Sequence, residues 1–163
     1  MHIIIIIGVS GCGKTTIGKL LSKKTKLPFY DADDFHSEEN IIKMKSNASL
    51  TDADRLPWLN TLASKVKKWE KTGGAILACS ALKESYRKLL SSNTNNIQWV
   101  CLKGSFELIK SRLEQRQNHY MKSDLLVSQF ETLEEPDYGL HINIEQSENE
   151  IIKEILLNLN FNE

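Results

Sequence analysis

Apolar and polar positions follow two rhythms along this chain, and the rhythms take turns from one end to the other. Short apolar runs bounded by polar or turn residues predict strands over His2–Ile7, Pro28–Asp31, Ala75–Cys79, Ile97–Leu102 and His141–Ile144. Between them, stripes at three- and four-residue spacing predict helices. The first is Lys14–Lys24; the next carries Leu59, Leu62, Ala63, Val66 and Trp69 on one face, another carries Phe106, Ile109 and Leu113, and the last carries Ile151, Ile152, Ile155, Leu156 and Leu159. Thr72-Gly73-Gly74 reads as the stop of the second of these before the third strand. Strands and helices in alternation predict an α/β domain with a mainly parallel sheet, and five strands suffice for its core. Two polar segments break the pattern: 32–57, rich in Asp, Glu, Asn, Lys and Ser, and 115–124, between two helical patterns.

Composition narrows the partners. A length of 163 residues fits one domain spanning 1–163, large enough to bury a core without a disulfide or cofactor to hold it. With 21 basic and 21 acidic side chains the net charge is zero, so neither nucleic acid nor an anionic membrane is expected as the main partner. Cys12, Cys79 and Cys101 are odd in number and lack zinc-site spacing, which points to a reducing, cytoplasmic setting. The N-terminal isoleucine run is too short for a membrane span and leads straight into glycine, so no export is expected.

That glycine opens the stretch with the clearest chemistry. Gly8-Val9-Ser10-Gly11-Cys12-Gly13-Lys14-Thr15 is a complete GxxxxGK[ST] loop, in the strand, glycine turn and helix context it requires. Its glycines let backbone N–H groups curl around a polyphosphate at a helix N-terminus. Lys14 is expected to reach the β and γ phosphates of ATP, and the Thr15 hydroxyl to ligate Mg2+. Asp31-Ala32-Asp33-Asp34 lies just past the second strand, at the sheet edge where open parallel sheets bind ligands. On an extended backbone Asp31 and Asp33 would share a side, with Asp34 turned away. Asp31 is therefore assigned to the metal's outer shell and Asp33 to the acceptor hydroxyl, as base or positioning group. Cys12, beside Lys14 at a helix N-terminus, is expected to be open to inactivation by oxidants, with ATP protecting.

Three longer strings carry a family resemblance. DADDFHSEENIIKMKSNASLTDADRLPWL (31–59), ACSALKESYRKLL (78–90) and LKGSFELIKSRLEQRQNHYMKSDLLVSQFETLEEP (102–136) resemble the gluconate kinase family of phosphate-loop carbohydrate kinases. The resemblance implies a three-layer P-loop kinase fold with a five-stranded parallel sheet, an acceptor-binding insertion over about 32–57 and a mobile lid over about 115–124. It implies ATP-dependent phosphorylation of D-gluconate at its 6-hydroxyl, and a homodimer. A polyol with a terminal carboxylate needs an acid at the reacting hydroxyl, hydrogen-bonding side chains and a cation, which Asp33, His36, Arg55 and Lys83 supply. Arg112 and Arg116, four apart on one helix face, are the lid arginines that would neutralise charge on the transferred phosphoryl group, a catalytic role shared with Lys14 and Asp33. The chain departs from the family pattern at Cys12 and Thr15, where serines are usual, at Ala32 and Asn47, where glycine is, and at Ser49, where proline is.

Other readings share the loop. Shikimate kinase has the same loop and a DxD after the second strand, but normally a glycine triplet after the third strand, where this chain has CSALK. A nucleoside monophosphate kinase would need a nucleobase pocket for its acceptor, and nothing marks one. A nucleotide-gated switch is disfavoured by the lack of a later metal aspartate and of an NKxD string.

Overall fold

A computed structural model describes residues 2–116 and 123–160. Five strands form one parallel sheet: β1 (His2–Ile7), β2 (Phe29–Asp31), β3 (Gly74–Ala78), β4 (Ile97–Lys103) and β5 (Leu140–Asn143). Their order is β2-β3-β1-β4-β5, with Ile4 opposite Ile76 on one side and Gln98 on the other. Seven helices connect and follow the strands: α1 (Lys14–Thr25), α2 (Glu38–Lys45), α3 (Asp52–Lys71), α4 (Glu84–Leu90), α5 (Phe106–Glu114), α6 (Ser123–Thr132) and α7 (Glu148–Asn158). The expected strands are all present, with no end moved by more than one residue. β2 begins at Phe29 rather than Pro28, since proline has no N–H for the ladder, although the Pro28 carbonyl still accepts from Ile76.

The isoleucine run explains the three layers. Successive strand side chains point to opposite faces, and every residue from Ile3 to Ile7 is buried, so both faces of β1 are covered. Ile4 and Ile6 pack with Ile17 and Leu21 of α1, Ile109 of α5 and Ile151 and Ile155 of α7. Ile3, Ile5 and Ile7 pack with Leu59, Leu62 and Val66 of α3 and Leu90 of α4. β1 therefore sits centrally, and the chain fills one side of it before turning to the other. The crevice past the carboxyl end of β1 is the topological switch point where such sheets bind ligands.

The polar segment 32–57 is not one long loop. Ala32–Phe35 forms a 3-10 turn, α2 is capped by the Ser37 side chain, and α3 starts with a Thr51/Asp54 capping box. Its composition reads as a loop because these short helices expose much of their surface. The 3-10 turn also corrects the expectation of extended, alternating aspartates: Asp31 caps the turn and accepts from the Asp33 N–H at 3.0 Å. Asn47 has φ 60°, in the left-handed region that asparagine tolerates, which accounts for glycine being usual there.

Gly73 and Gly74 do more than stop a helix. Gly74 has φ 104°, and a Cβ there would lie 2.3 Å from the His2 carbonyl oxygen. Strand β1 cannot move away without breaking the ladder. Gly74→Ala is expected to cost about 2 kcal/mol or more, read as a lowered thermal midpoint with the purified protein.

Candidate active site

The loop after β1 is shaped by backbone that glycine permits. Gly8, Gly11 and Gly13 have φ of 148°, 80° and 99°, and a Cβ on Gly8 would meet the Leu102 carbonyl oxygen at 2.8 Å. Lys14 Nζ donates to the Gly8 and Val9 carbonyls, both at 3.0 Å, so its ammonium is held along the loop. The first turn of α1 leaves its N–H groups without helical partners, facing the space a phosphate would fill. A cavity of about 310 Å³ opens beside this turn, lined by Gly11, Cys12, Gly13, Thr16, Arg112 and Arg116 among others.

Arg112 and Arg116 thus share one cavity with the loop, by a route different from the one expected. α5 ends at Glu114, so the two arginines do not lie on one helix face. The chain makes one further turn, with the Arg116 N–H donating to the Leu113 carbonyl at 3.2 Å, and this keeps both beside Gly11–Gly13. Arg112 also donates to the Ile144 carbonyl at 2.8 Å. Of the segment read as a lid, residues 117–122 lie outside the described residues.

On the other side of the loop, the Thr15 hydroxyl donates to Asp31 Oδ2 at 3.0 Å. This pairs a hydroxyl with a carboxylate at the sheet edge, an oxygen donor set suited to a hard cation that keeps most of its ligands from water and phosphate. Among the described residues no three His, Cys, Asp or Glu side chains gather as a complete metal cage. Asp33 follows, its side chain 80 % exposed to the open cleft. Desolvation by the cleft walls raises its pKa above the ordinary carboxylate value, and the neighbouring Asp31 adds to this against the pull of Lys14. Water entering the cleft tempers the shift.

His36 is placed differently from the expectation. Its side chain is 3 % exposed and stacks on Trp58 at 4.2 Å between ring centres, with Nε2 3.8 Å from Asp33 Oδ1. The ring stands behind Asp33 rather than open to an acceptor. Burial, with Arg55 nearby, lowers its pKa, so the neutral imidazole is favoured.

Arg55 and Lys83 converge on a pair of residues that the sequence reading passed over. Arg55 donates to the Tyr86 hydroxyl at 3.2 Å and to the Leu50 carbonyl at 2.8 Å. The Tyr86 hydroxyl in turn donates to Asp52, and Lys83 donates to both Asp52 oxygens at 3.1 Å. The bonds from Tyr86 and Lys83 hold the Asp52 pKa below the ordinary value, and the bond to Asp52 raises that of Lys83. Two cations and one carboxylate leave this cluster with a net positive charge. Asp52, in the first turn of α3, is 31 residues from Lys83, and Tyr86, in α4, is 31 residues from Arg55 and 34 from Asp52, so no local spacing linked them in advance.

A second missed residue holds the frame. Arg87 is 1 % exposed and donates to the carbonyls of Ala81 at 2.7 Å and Glu134 at 2.6 Å, to Glu84 at 3.0 Å and to the Tyr138 hydroxyl at 3.1 Å. It ties the Ser80–Lys83 connection, α4 and the segment before β5 together, and a buried guanidinium is tolerable only because it is so fully bonded. Gln129 accepts from the Ser10 N–H at 2.7 Å and donates to its hydroxyl at 3.0 Å, joining α6 to the loop.

Cys12 corrects a further expectation. The residue is 1 % exposed, so its thiol is not the open target that was expected. All three cysteines are free and buried. Among the described residues no helix is long and apolar enough to cross a membrane.

The chain is similar to known proteins. The sequence model of the shikimate kinase family matches residues 10–159. The "Probable gluconokinase" of Rattus norvegicus is 40 % identical over 94 % of this chain and 95 % of its own length. The "Thermoresistant gluconokinase" of Escherichia coli (strain K12) is 41 % identical over 83 % of this chain and 78 % of its own. The crystal structure of a gluconokinase from Sinorhizobium meliloti 1021 superposes with a TM-score of 0.90 at 35 % identity, covering 98 % of this chain and 91 % of that one.

Proposed function

The chain belongs to the gluconokinase family, kinases within the broader shikimate kinase group, and from that premise we propose that it phosphorylates D-gluconate from ATP at the 6-hydroxyl, with its residues divided between a donor and an acceptor half. The products are 6-phospho-D-gluconate and ADP. The observation that supports the division is two bonded groups past the strand ends: Thr15 with Asp31 and the Asp33 N–H beside the phosphate loop, and Arg55 through Tyr86 and Asp52 to Lys83.

In the donor half, Gly8, Val9, Ser10, Gly11, Cys12, Gly13, Lys14 and Thr15 cradle the phosphates of ATP. Thr15 and Asp31 would hold Mg2+ and its water shell, and the ion would offset charge on the phosphates. Asp33 accepts a hydrogen bond from the 6-hydroxyl and takes its proton. The bond from that oxygen to the γ-phosphorus forms as the bond to the β–γ bridging oxygen breaks, and ADP leaves with that electron pair. Arg112 and Arg116 donate to the phosphoryl oxygens while charge spreads over them.

In the acceptor half, Arg55 and Lys83 meet the gluconate carboxylate, and their net positive charge beside Asp52 suits one anion. His36 is not a direct contact in this reading; it acts behind Asp33. Lys83→Met is expected to raise KM for gluconate about tenfold or more, with kcat and KM for ATP little changed, measured by steady-state kinetics. The test of the reading as a whole is coupled ADP release with gluconate, shikimate, a nucleoside monophosphate or no acceptor. Stimulation by gluconate alone supports it; stimulation by shikimate alone, or a rate independent of acceptor, overturns it.

A further inference from the structure

We propose that Asn40 is a positioning residue for the transfer step, fixing the tautomer of His36 so that the imidazole presents an N–H to Asp33. The proposal rests on the reading of Asp33 as the group that receives the acceptor hydroxyl.

The Asn40 amide has one possible orientation. Asn40 is 6 % exposed, and its Nδ2 lies 3.0 Å from the Asp54 carbonyl oxygen and 3.3 Å from His36 Nδ1. A carbonyl oxygen only accepts, so the amide atom facing it is the nitrogen. That nitrogen has two hydrogens and accepts nothing. With one spent on Asp54, the other is directed to His36 Nδ1, which must therefore carry a lone pair. The imidazole is then neutral with its proton on Nε2.

Neighbouring elements hold this chain of bonds in place. The Asp54 carbonyl sits in the first turn of α3, where the Asp54 side chain receives Lys43 at 2.6 Å and the Thr51 N–H at 2.8 Å. The Asn40 N–H donates to the Ser37 side chain that caps α2. Trp58 supports the His36 ring from its face, and its own indole N–H donates to the Ala32 carbonyl at 2.8 Å, one residue before Asp33. His36 is thus fixed and Asp33 is exposed. At 3.8 Å from Nε2 the Asp33 oxygen is beyond hydrogen-bond length, and the proposed bond requires the exposed carboxylate to turn toward the ring. With one oxygen on the imidazole, Asp33 offers the other to the acceptor. The opposite tautomer would set a lone pair against the carboxylate and leave its orientation open.

The test is the imidazole nitrogen spectrum of the full-length protein labelled with nitrogen-15 histidine, with His36 assigned by loss of its signals in His36→Gln. At neutral pH the expected result is a protonated Nε2 and a bare Nδ1. A proton on Nδ1, or a charged ring, overturns the proposal. No acceptor or turnover is needed, so failure of the gluconate reading would be seen separately in the ADP-release assay. Asn40→Leu, close in size but unable to donate, is expected to mix the tautomers and to lower kcat about tenfold or more with KM for ATP unchanged. A folded Asn40→Leu protein with wild-type kcat overturns the positioning role, and the wild-type spectrum decides the tautomer whether or not that variant folds.

Discussion

Replacing Asp33 by asparagine is expected to lower kcat about a hundredfold to ten-thousandfold while ATP affinity stays within a few-fold, because the change removes a proton acceptor and little volume. Asparagine can still accept a hydrogen bond through its oxygen but cannot take the proton. The loss should therefore fall on the chemical step, read by single-turnover kinetics at saturating ATP and acceptor. A pH profile adds an independent readout. Asp33 must be ionised to act, and desolvation with the neighbouring Asp31 raises its pKa. Activity of the wild-type enzyme should thus fall toward acid at a higher pH than an unperturbed aspartate would give, and Asp33→Asn should lack that limb. Near-normal turnover of Asp33→Asn would remove this residue from the mechanism.

Arg116→Ala is expected to cost about a hundredfold or more in kcat, with KM for gluconate little changed. A single arginine acting fully on a transferred phosphoryl group is worth about a thousandfold or more, and here two share one cavity with the phosphate loop. Arg116 separates catalysis from stability better than Arg112 does. Arg112 also bonds the Ile144 carbonyl at the end of β5, so its loss adds a structural cost of about 1 kcal/mol. Comparing the thermal midpoints of the two variants separates these effects: Arg116→Ala should unfold near the wild-type temperature, and Arg112→Ala somewhat below it. A kcat for Arg116→Ala within a few-fold of wild type would contradict the role assigned to it.

The layers of this molecule were legible because one physical rule wrote them. A strand buried on both faces must be apolar throughout, and the run from Ile3 to Ile7 is; helices covering it must be apolar on one stripe, as at Leu59, Leu62 and Val66. The phosphate loop was legible because its glycines are required by backbone conformation at Gly8, Gly11 and Gly13. The arrangement of the residues assigned to the acceptor half was not legible. The extended-strand argument for Asp31 and Asp33 failed because a 3-10 turn intervenes, yet the turn's own cap bond keeps the two residues together. Asp52, Tyr86 and Arg87 went unnoticed for one shared reason. Each acts through a partner far away in the chain, such as Lys83 with Asp52 or Arg87 with Glu134, and no local period encodes such pairs. Asn40 was hidden in a polar run, where an asparagine looks like solvent-facing surface until its burial is known. The capping box that starts α3 could have been found, since Thr51 and Asp54 stand at the required spacing.

In the proposed mechanism the loop fixes the donor and the segment after β2 decides which oxygen receives the phosphate. A phosphorus–proton correlation spectrum of the product formed from ATP and D-gluconate tests this most directly. The account predicts one phosphate ester coupled to the two protons of the terminal CH2, the C6 position. A phosphorus coupled to a single CH proton, or one with no proton coupling as in an acyl phosphate, would contradict it.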